Sequence, residues 1–222
     1  AFSLDVKLDA IRQGLRTFDS TFYQAPGRMN VFDEHPFKVL FDYGHNAHAV
    51  GVMADLAQRL DVKGRRIVVM AGPGDRRDED LKAIALAVAG RFDHYICRRD
   101  DQLRDRAPEE VPRLLAQTLR EAGVSGSRIE IIPDEREAID AALRMGDAGD
   151  LLLVFADHLT RSWKQIIKFR PAGSSTELTA PGALSPAPAV SLAERPPEAS
   201  VLSLEGLIRD ERGIRFAPGG ED

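Results

Sequence analysis

The stretch Phe37-Lys38-Val39-Leu40-Phe41-Asp42-Tyr43-Gly44-His45-Asn46 decides the fold: five residues of strand character run into an acid, a glycine turn and a residue suited to cap a helix. Helical periodicity follows at once, from Ala47 to Leu60. The same order of strand, polar turn and helix recurs downstream. Strands are predicted at Ile67–Ala71, His94–Cys97, Arg128–Ile132 and Leu151–Phe155, and helices at Asp78–Ala89, Pro108–Ala122, Glu135–Met145 and Thr160–Ile167. Gly64, Gly90, Gly123 and Gly146 lie near the ends of the first four helices. Met29–Asp33 is placed as an antiparallel edge. The alternation gives an α/β class: a Rossmann-like, doubly wound, mostly parallel sheet of about six strands.

On either side of this rhythm the composition changes. Residues 171–222 hold seven of the 13 prolines, eight acids against four arginines, and little periodicity. Such a segment buries too little apolar surface to offset chain entropy, so a disordered Pro/Ala/Ser-rich tail is predicted. Within it, Val201–Ile208 is a candidate docking segment and Gly213–Phe216 a candidate edge strand. At the other end, Leu8, Ile11, Leu15 and Phe18 fall at helical spacing, and Ala25-Pro26-Gly27 then breaks the chain. The first residue is Ala1, with no signal-like leader, which reads as a fragment of a longer protein. The expected organisation is therefore 1–25, a helix and hinge left from a preceding domain; 26–170, the α/β domain; and 171–222, the tail.

The whole chain of 222 residues is 43% hydrophobic and 29% charged, a composition for one globular domain with a sizeable core. No apolar run approaches the ~18 residues a membrane helix needs. A net charge of -5 supplies no positive surplus for phosphate contacts, so neither a membrane nor a nucleic acid is an expected partner. The single cysteine, Cys97, allows neither an internal disulfide nor a Cys-rich metal site; a cytoplasmic protein without a metal framework is expected.

In doubly wound sheets ligands gather beyond the carboxyl ends of the strands. Four polar loops should meet there: Asp42–Asn46, Gly72–Asp80, Arg98–Arg106 and Asp157–Arg161. Asp42 suits a sugar hydroxyl or a cation, and His45 and Asn46 stand where a helix N-terminus attracts phosphate; equally, Asn46 is a simple cap. Gly72-Pro73-Gly74-Asp75 looks like a phosphate-cradling turn, yet both the P-loop and the G-x-G-x-x-G patterns are missing. The Arg98–Arg106 cluster either binds a carboxylate or phosphate or is a solvated loop with internal ion pairs. His48 reads as surface, Cys97 as a small core residue and Trp163 as packing for the last helix. No Ser-His-Asp order and no metal-spaced histidines occur, so no catalytic residue and no metal ligand is assigned within the chain.

Pro26-Gly27-Arg28-Met29-Asn30 and Asp42-Tyr43-Gly44-His45-Asn46 resemble the C-terminal domain of the Mur ligase superfamily. Gly72-Pro73-Gly74-Asp75-Arg76-Arg77-Asp78-Glu79-Asp80, with Arg98-Arg99-Asp100-Asp101, resembles the cyanophycin synthetases within it, over residues 1 to about 170. The resemblance implies an ATP-dependent ligase that adds arginine to the aspartate side chains of a polymer primer through an acyl phosphate. It implies ATP and Mg2+ held mainly by a central domain absent here, central and ATP-grasp domains upstream as partners, and a homo-oligomer. Carried over by position, Arg28, Asp42, His45 and Asn46 would bind ATP. Gly74, Asp75, Arg76, Asp78, Asp100, Asp101 and Arg104 would face the substrate. Ala47 stands where the family pattern has proline, which loosens the start of the helix. Without the P-loop domain the fragment alone is expected to be inactive. The alternatives are a noncatalytic scaffold or oligomerisation domain and another Mur-type ligase, peptidoglycan or folylpolyglutamate.

Overall fold

The computed structural model describes residues 6–18, 20–171, 207–210 and 213–216. A six-stranded sheet is built from β1 (Asn30–Phe32), β2 (Lys38–Asp42), β3 (Arg66–Met70), β4 (His94–Cys97), β5 (Ile129–Ile131) and β6 (Leu151–Phe155), in the order β1-β2-β6-β3-β4-β5. All neighbours are parallel except β1, which pairs antiparallel with β2 through Val31 opposite Leu40. The crossovers are α2 (Ala47–Arg59), α3 (Asp78–Val88), α4 (Glu110–Glu121) and α5 (Glu135–Met145); α6 (Leu159–Lys168) follows β6, and α1 (Leu8–Thr17) precedes the sheet.

Strands buried on both faces need apolar residues at successive positions, and these have them. Leu40, Val68, Met70, Tyr95, Cys97, Leu151, Leu153 and Phe155 pack with α2, α3 and α4 on one face. Their neighbours Val39, Phe41, Ile67, Val69, Ile96, Leu152 and Val154 pack with α5 and α6 on the other. Asn46 caps α2 by accepting the Ala49 amide at 2.9 Å, and Asp134 caps α5 through the Glu137 amide at 3.0 Å. Gly90 and Gly123, after α3 and α4, are left-handed at φ +74° and +89°, a common way for a helix to end. Gly146 leaves α5 in an extended conformation at φ -66°, and glycine is needed there because a Cβ would come within 2.7 Å of the Phe37 ring.

At the start of the domain Phe22 stacks on Trp163 at 5.0 Å, and the buried Asn30 amide donates to Ser20 O and Ala25 O while its oxygen accepts the Gly27 amide. Packing thus draws Thr21–Gly27 into the domain, and a boundary after residue 25 would cut through a bonded turn. None of the α1 residues is buried; Leu8, Leu15 and Phe18 face solvent. The tail contributes a two-stranded antiparallel sheet, β7 (Leu207–Asp210) with β8 (Gly213–Phe216). The expected strand at 213–216 therefore forms, paired with its own neighbour rather than with the main sheet. Residues 172–206, with most of the candidate docking segment, lie outside the described residues. Among the described residues no helix is long and apolar enough to cross a membrane.

At the amino edge of the sheet Asp150, 3% exposed, accepts the Arg65 amide at 2.6 Å, the Asp147 amide at 3.0 Å and the Arg65 guanidinium at 2.7 Å. Burial pushes its pKa up, but these donors more than offset burial and hold it below the ordinary 3.8. Its stabilising effect is complete above that value and is lost as pH falls through the depressed one. Asp150→Asn should cost about 2 kcal/mol in a urea melt at pH 7 and should flatten the loss of stability below pH ~4.

Candidate functional site

The four loops all lie along the carboxyl edge of the sheet, where 72–80 bonds 98–106, 98–106 bonds 157–161, and the Asp42 carbonyl accepts the Ala156 amide at the end of β6. At the end of β2 Asp42 is 8% exposed, with Oδ2 accepting the Met29 amide at 2.8 Å and Oδ1 the Gly44 amide at 2.7 Å. The first of these bonds holds Met29 at φ +50°, an unusual value for a residue with a side chain. Asp42 therefore builds the turn that carries Arg28. Arg28 is exposed, with its guanidinium carbon 5.9 Å from the centre of the Tyr43 ring, and the His45 ring lies on the same tyrosine at 5.1 Å. Asn46 is exposed and engaged as the cap of α2.

Beyond β3 and β4 two loops form one clasp. Arg104 pairs with Asp75, and Arg106 bonds Gly74 O at 2.9 Å, Arg76 O at 2.8 Å, Asp78 at 2.8 Å and Glu110 at 2.8 Å. Arg104 and Asp105 are left-handed at φ +48° and +68°, a costly conformation for two successive non-glycine residues. Gly74 lets the loops close, since a Cβ there would overlap the Leu103 carbonyl oxygen. Of the residues predicted to face substrate, Gly74, Asp75, Asp78 and Arg104 belong to this clasp through their side chains or close approach; Arg76 joins it through its carbonyl.

Sequence reasoning placed Arg98 in a solvated or ligand-binding loop. The structure corrects this: Arg98 is fully buried. Its guanidinium reaches Phe155 O at 2.8 Å, Arg99 O at 2.7 Å, Asp157 Oδ2 at 2.8 Å and Glu135 Oε2 at 3.1 Å. Glu135, equally buried at the first turn of α5, also accepts Ser162 Oγ at 2.6 Å, the Asp157 amide at 2.7 Å, the His158 amide at 3.3 Å and Arg161 Nη2 at 3.0 Å. Burial raises the Glu135 pKa, but Arg98, Ser162, the Asp157 amide and Arg161 more than reverse this, leaving it below its ordinary 4.5. Arg161 and His158 Nε2 meet Asp101 Oδ2 at 2.8 and 2.9 Å. Glu135 was missed because an acid in a first helical turn is what the helix dipole favours anyway. Asp100 differs from its neighbour: its carboxylate accepts the Gln102 amide at 2.8 Å and has no ion pair among the described residues. Burial pushes its pKa up, and Asp157 adds to this, while the Gln102 amide and the charges of Arg104 and Arg98 oppose it without reversing it.

Cys97 is buried, and burial pushes its thiol up to about 12, so it is an unreactive core residue. Among the described residues no group of three or more His, Cys, Asp or Glu side chains is arranged for a metal ion.

The pattern of the family described as "Mur ligase, glutamate ligase domain" matches residues 27–158, and the chain belongs to that family. Within it the sequence is similar to cyanophycin synthetases: 39% identical over 169 residues to that of Geminocystis herdmanii, covering 76% of this chain and 19% of the relative, and 34% over 173 residues to that of Synechocystis sp., covering 78% and 20%. The chain thus spans about a fifth of the length of these relatives. The fold is shared with a Mycobacterium tuberculosis folylpolyglutamate synthase solved with ADP and AMPPCP, at TM-score 0.54 and 20% identity over 75% of this chain and 36% of that one. It is shared also with a UDP-N-acetylmuramoyl-L-alanyl-D-glutamate--2,6-diaminopimelate ligase, at TM-score 0.53 and 22% identity over the same shares.

Gly74→Ala should force the two loops of the clasp apart. The expected cost is about 1–3 kcal/mol in a denaturant melt, with new proteolytic cleavage confined to residues 98–106.

Proposed function

We propose that this domain is the nucleotide-closing lobe of an ATP-dependent acid–amino-acid ligase of the cyanophycin synthetase type, which joins the α-amine of arginine to aspartate side chains of a primer. The observation that supports it most is the joining of loops 72–80 and 98–106 into one clasp of mixed charge, in a chain 39% identical to a cyanophycin synthetase over 169 residues. In that reaction ATP supplies the phosphoryl group that converts the carboxylate to an acyl phosphate, releasing ADP. The amine attacks the acyl carbon, the C–N bond forms, phosphate leaves and the nitrogen gives up a proton. Positioning and charge stabilisation are what a protein adds to such a step.

The residues present fit the nucleotide. Arg28 offers an exposed guanidinium to its phosphates, carried on a turn that Asp42 and Asn30 hold rigid. Each Asp42 oxygen accepts one amide and keeps a second lone pair for a ribose hydroxyl. His45 and Asn46 stand beside the same end of α2. Gly74, Asp75, Arg76, Asp78, Asp100, Asp101 and Arg104 form the substrate side, where Asp75, Asp78 and Asp101 are held in internal ion pairs and the carboxylate of Asp100 is the one placed to recognise a guanidinium. Magnesium and the rest of the nucleotide site belong mainly to the central domain expected upstream, beside an ATP-grasp domain as a further partner, in a cytoplasmic enzyme.

The chain alone should hydrolyse no ATP. Joined to the upstream part of the Geminocystis herdmanii relative it should show arginine- and primer-dependent ATP hydrolysis. In that form Arg28→Ala should raise the KM for ATP about tenfold while the melting temperature stays native, because Arg28 is exposed. A native KM in the variant would overturn the nucleotide role, and an active fusion indifferent to arginine would favour a scaffold.

A further inference from the structure

We infer that Arg98 and Glu135 are positioning residues, which touch no substrate themselves but fix the loops after β4 and β6 so that Asp101 is occupied and Asp100 is left to receive the incoming cation. The inference rests on the reading of this edge as the amino-acid side of a ligase.

Both side chains are fully buried, and each has its hydrogen-bonding capacity spent on the two loops. Arg98 holds Phe155 O, Arg99 O and Asp157 Oδ2. Glu135 comes from α5, an element of neither loop, and takes two amides, a hydroxyl and a guanidinium from the segment 157–162. The surroundings would accept an apolar pair: Ile96, Ala138, Ile139, Val154 and Ala156 pack in the cluster on this face. Replacing a buried ion pair by apolar residues of similar volume is commonly neutral or stabilising, so the pair is a poor device for stability alone. What it supplies is geometry.

That geometry ends on Asp101. Arg161 bridges Glu135 Oε1 at 3.0 Å and Asp101 Oδ2 at 2.8 Å, and His158 Nε2 is the second partner of Asp101 Oδ2 at 2.9 Å. Asp157 Oδ2 bridges Arg98 and, at 3.3 Å, the Asp101 amide. Asp101 Oδ2 is thereby engaged by two side chains of the loop after β6. Its neighbour Asp100, half-buried and accepting one amide, is held beside it with no close ion pair among the described residues, Arg104 and Arg98 acting on its charge only from a distance. A carboxylate so placed gains most from a planar cation brought from outside.

The test uses the whole 222-residue chain, with the double variant Arg98→Met/Glu135→Leu. Three measurements are made: thermal melting, amide hydrogen exchange residue by residue, and titration with L-arginine, with its uncharged analogue L-citrulline as control. The expected result is a melting temperature within a few degrees of native, exchange about tenfold faster at Asp101, Asp157 and His158 with β3 and β6 still protected, and an arginine Kd about tenfold higher. A folded double variant with native loop exchange and native arginine affinity overturns the inference. Should it not fold, Ser162→Ala, which removes one donor from Glu135, decides in its place: about threefold faster exchange at His158 upholds the inference and native exchange overturns it. If the native chain binds arginine no better than citrulline, the choice of arginine as substrate fails, and loop exchange alone then decides the positioning role.

Discussion

β6 enters the sheet last in sequence and lies between β2 and β3, with all five of its side chains buried and parallel partners on both sides. The other parts of the candidate site meet through its carboxyl end. The Ala156 amide donates to Asp42 O at 3.0 Å, tying the turn after β2 to this strand, while Phe155 O receives Arg98 from the end of β4. A Cβ on Gly44 would come within 2.8 Å of the Phe155 ring, so the glycine turn is shaped against the same residue. The edge cannot assemble until this insertion is made, and the pairing joins segments separated by about a hundred residues. Such contacts pay loop-closure entropy before they return anything, which places formation of the edge late in folding.

Charge at that edge is arranged in two layers with different consequences. Outside, the pairs Arg104 with Asp75 and Arg106 with Asp78 are partly exposed and screened by solvent, so each adds little stability, and their effect is to keep two loops together. Inside, Arg98 and Glu135 have no solvent to fall back on, and loss of either partner would strand the other's charge. Removing an outer partner should therefore loosen a loop, while removing an inner one disturbs the edge as a whole. The carboxylate of Asp100 belongs to neither layer.

The sheet was legible because its strands obey one physical rule: buried on both faces, they must be apolar at every position, and Val39–Phe41, Ile67–Met70 and Leu151–Phe155 are. Helix limits moved by a residue or two, as with Pro108–Ala122 against Glu110–Glu121. The carboxyl edge was legible as a place, since strand direction follows from the crossovers. Its wiring was not. Arginine is read from sequence as a surface residue because an isolated buried guanidinium is prohibitive, and only coordinates show that Glu135, 37 positions away in sequence, neutralises Arg98. Asp42 shows the opposite case: position picked it out, but its present partners are the Met29 and Gly44 amides, a backbone role that residue type does not reveal. Gly146 is a third case, a helix end recognised from its type where glycine is required by the nearby Phe37 ring rather than by a left-handed φ.

The packing of residues 20–30 decides what Arg28 can do. Had Ala25-Pro26-Gly27 been a loose linker, an arginine just beyond it would have to lose chain freedom as well as side-chain freedom whenever it gripped a ligand. Instead, Phe22 is stacked on Trp163, the Asn30 amide gathers Ser20, Ala25 and Gly27, and Asp42 holds the Met29 amide. The backbone on both sides of Arg28 is thus fixed to the sheet before any ligand arrives, and only its side chain has to be ordered. The same bonds oppose bending within Thr21–Asn30. Rotation of this domain against whatever precedes it would have to be taken up before Thr21, and Arg28 would travel with the sheet as one body.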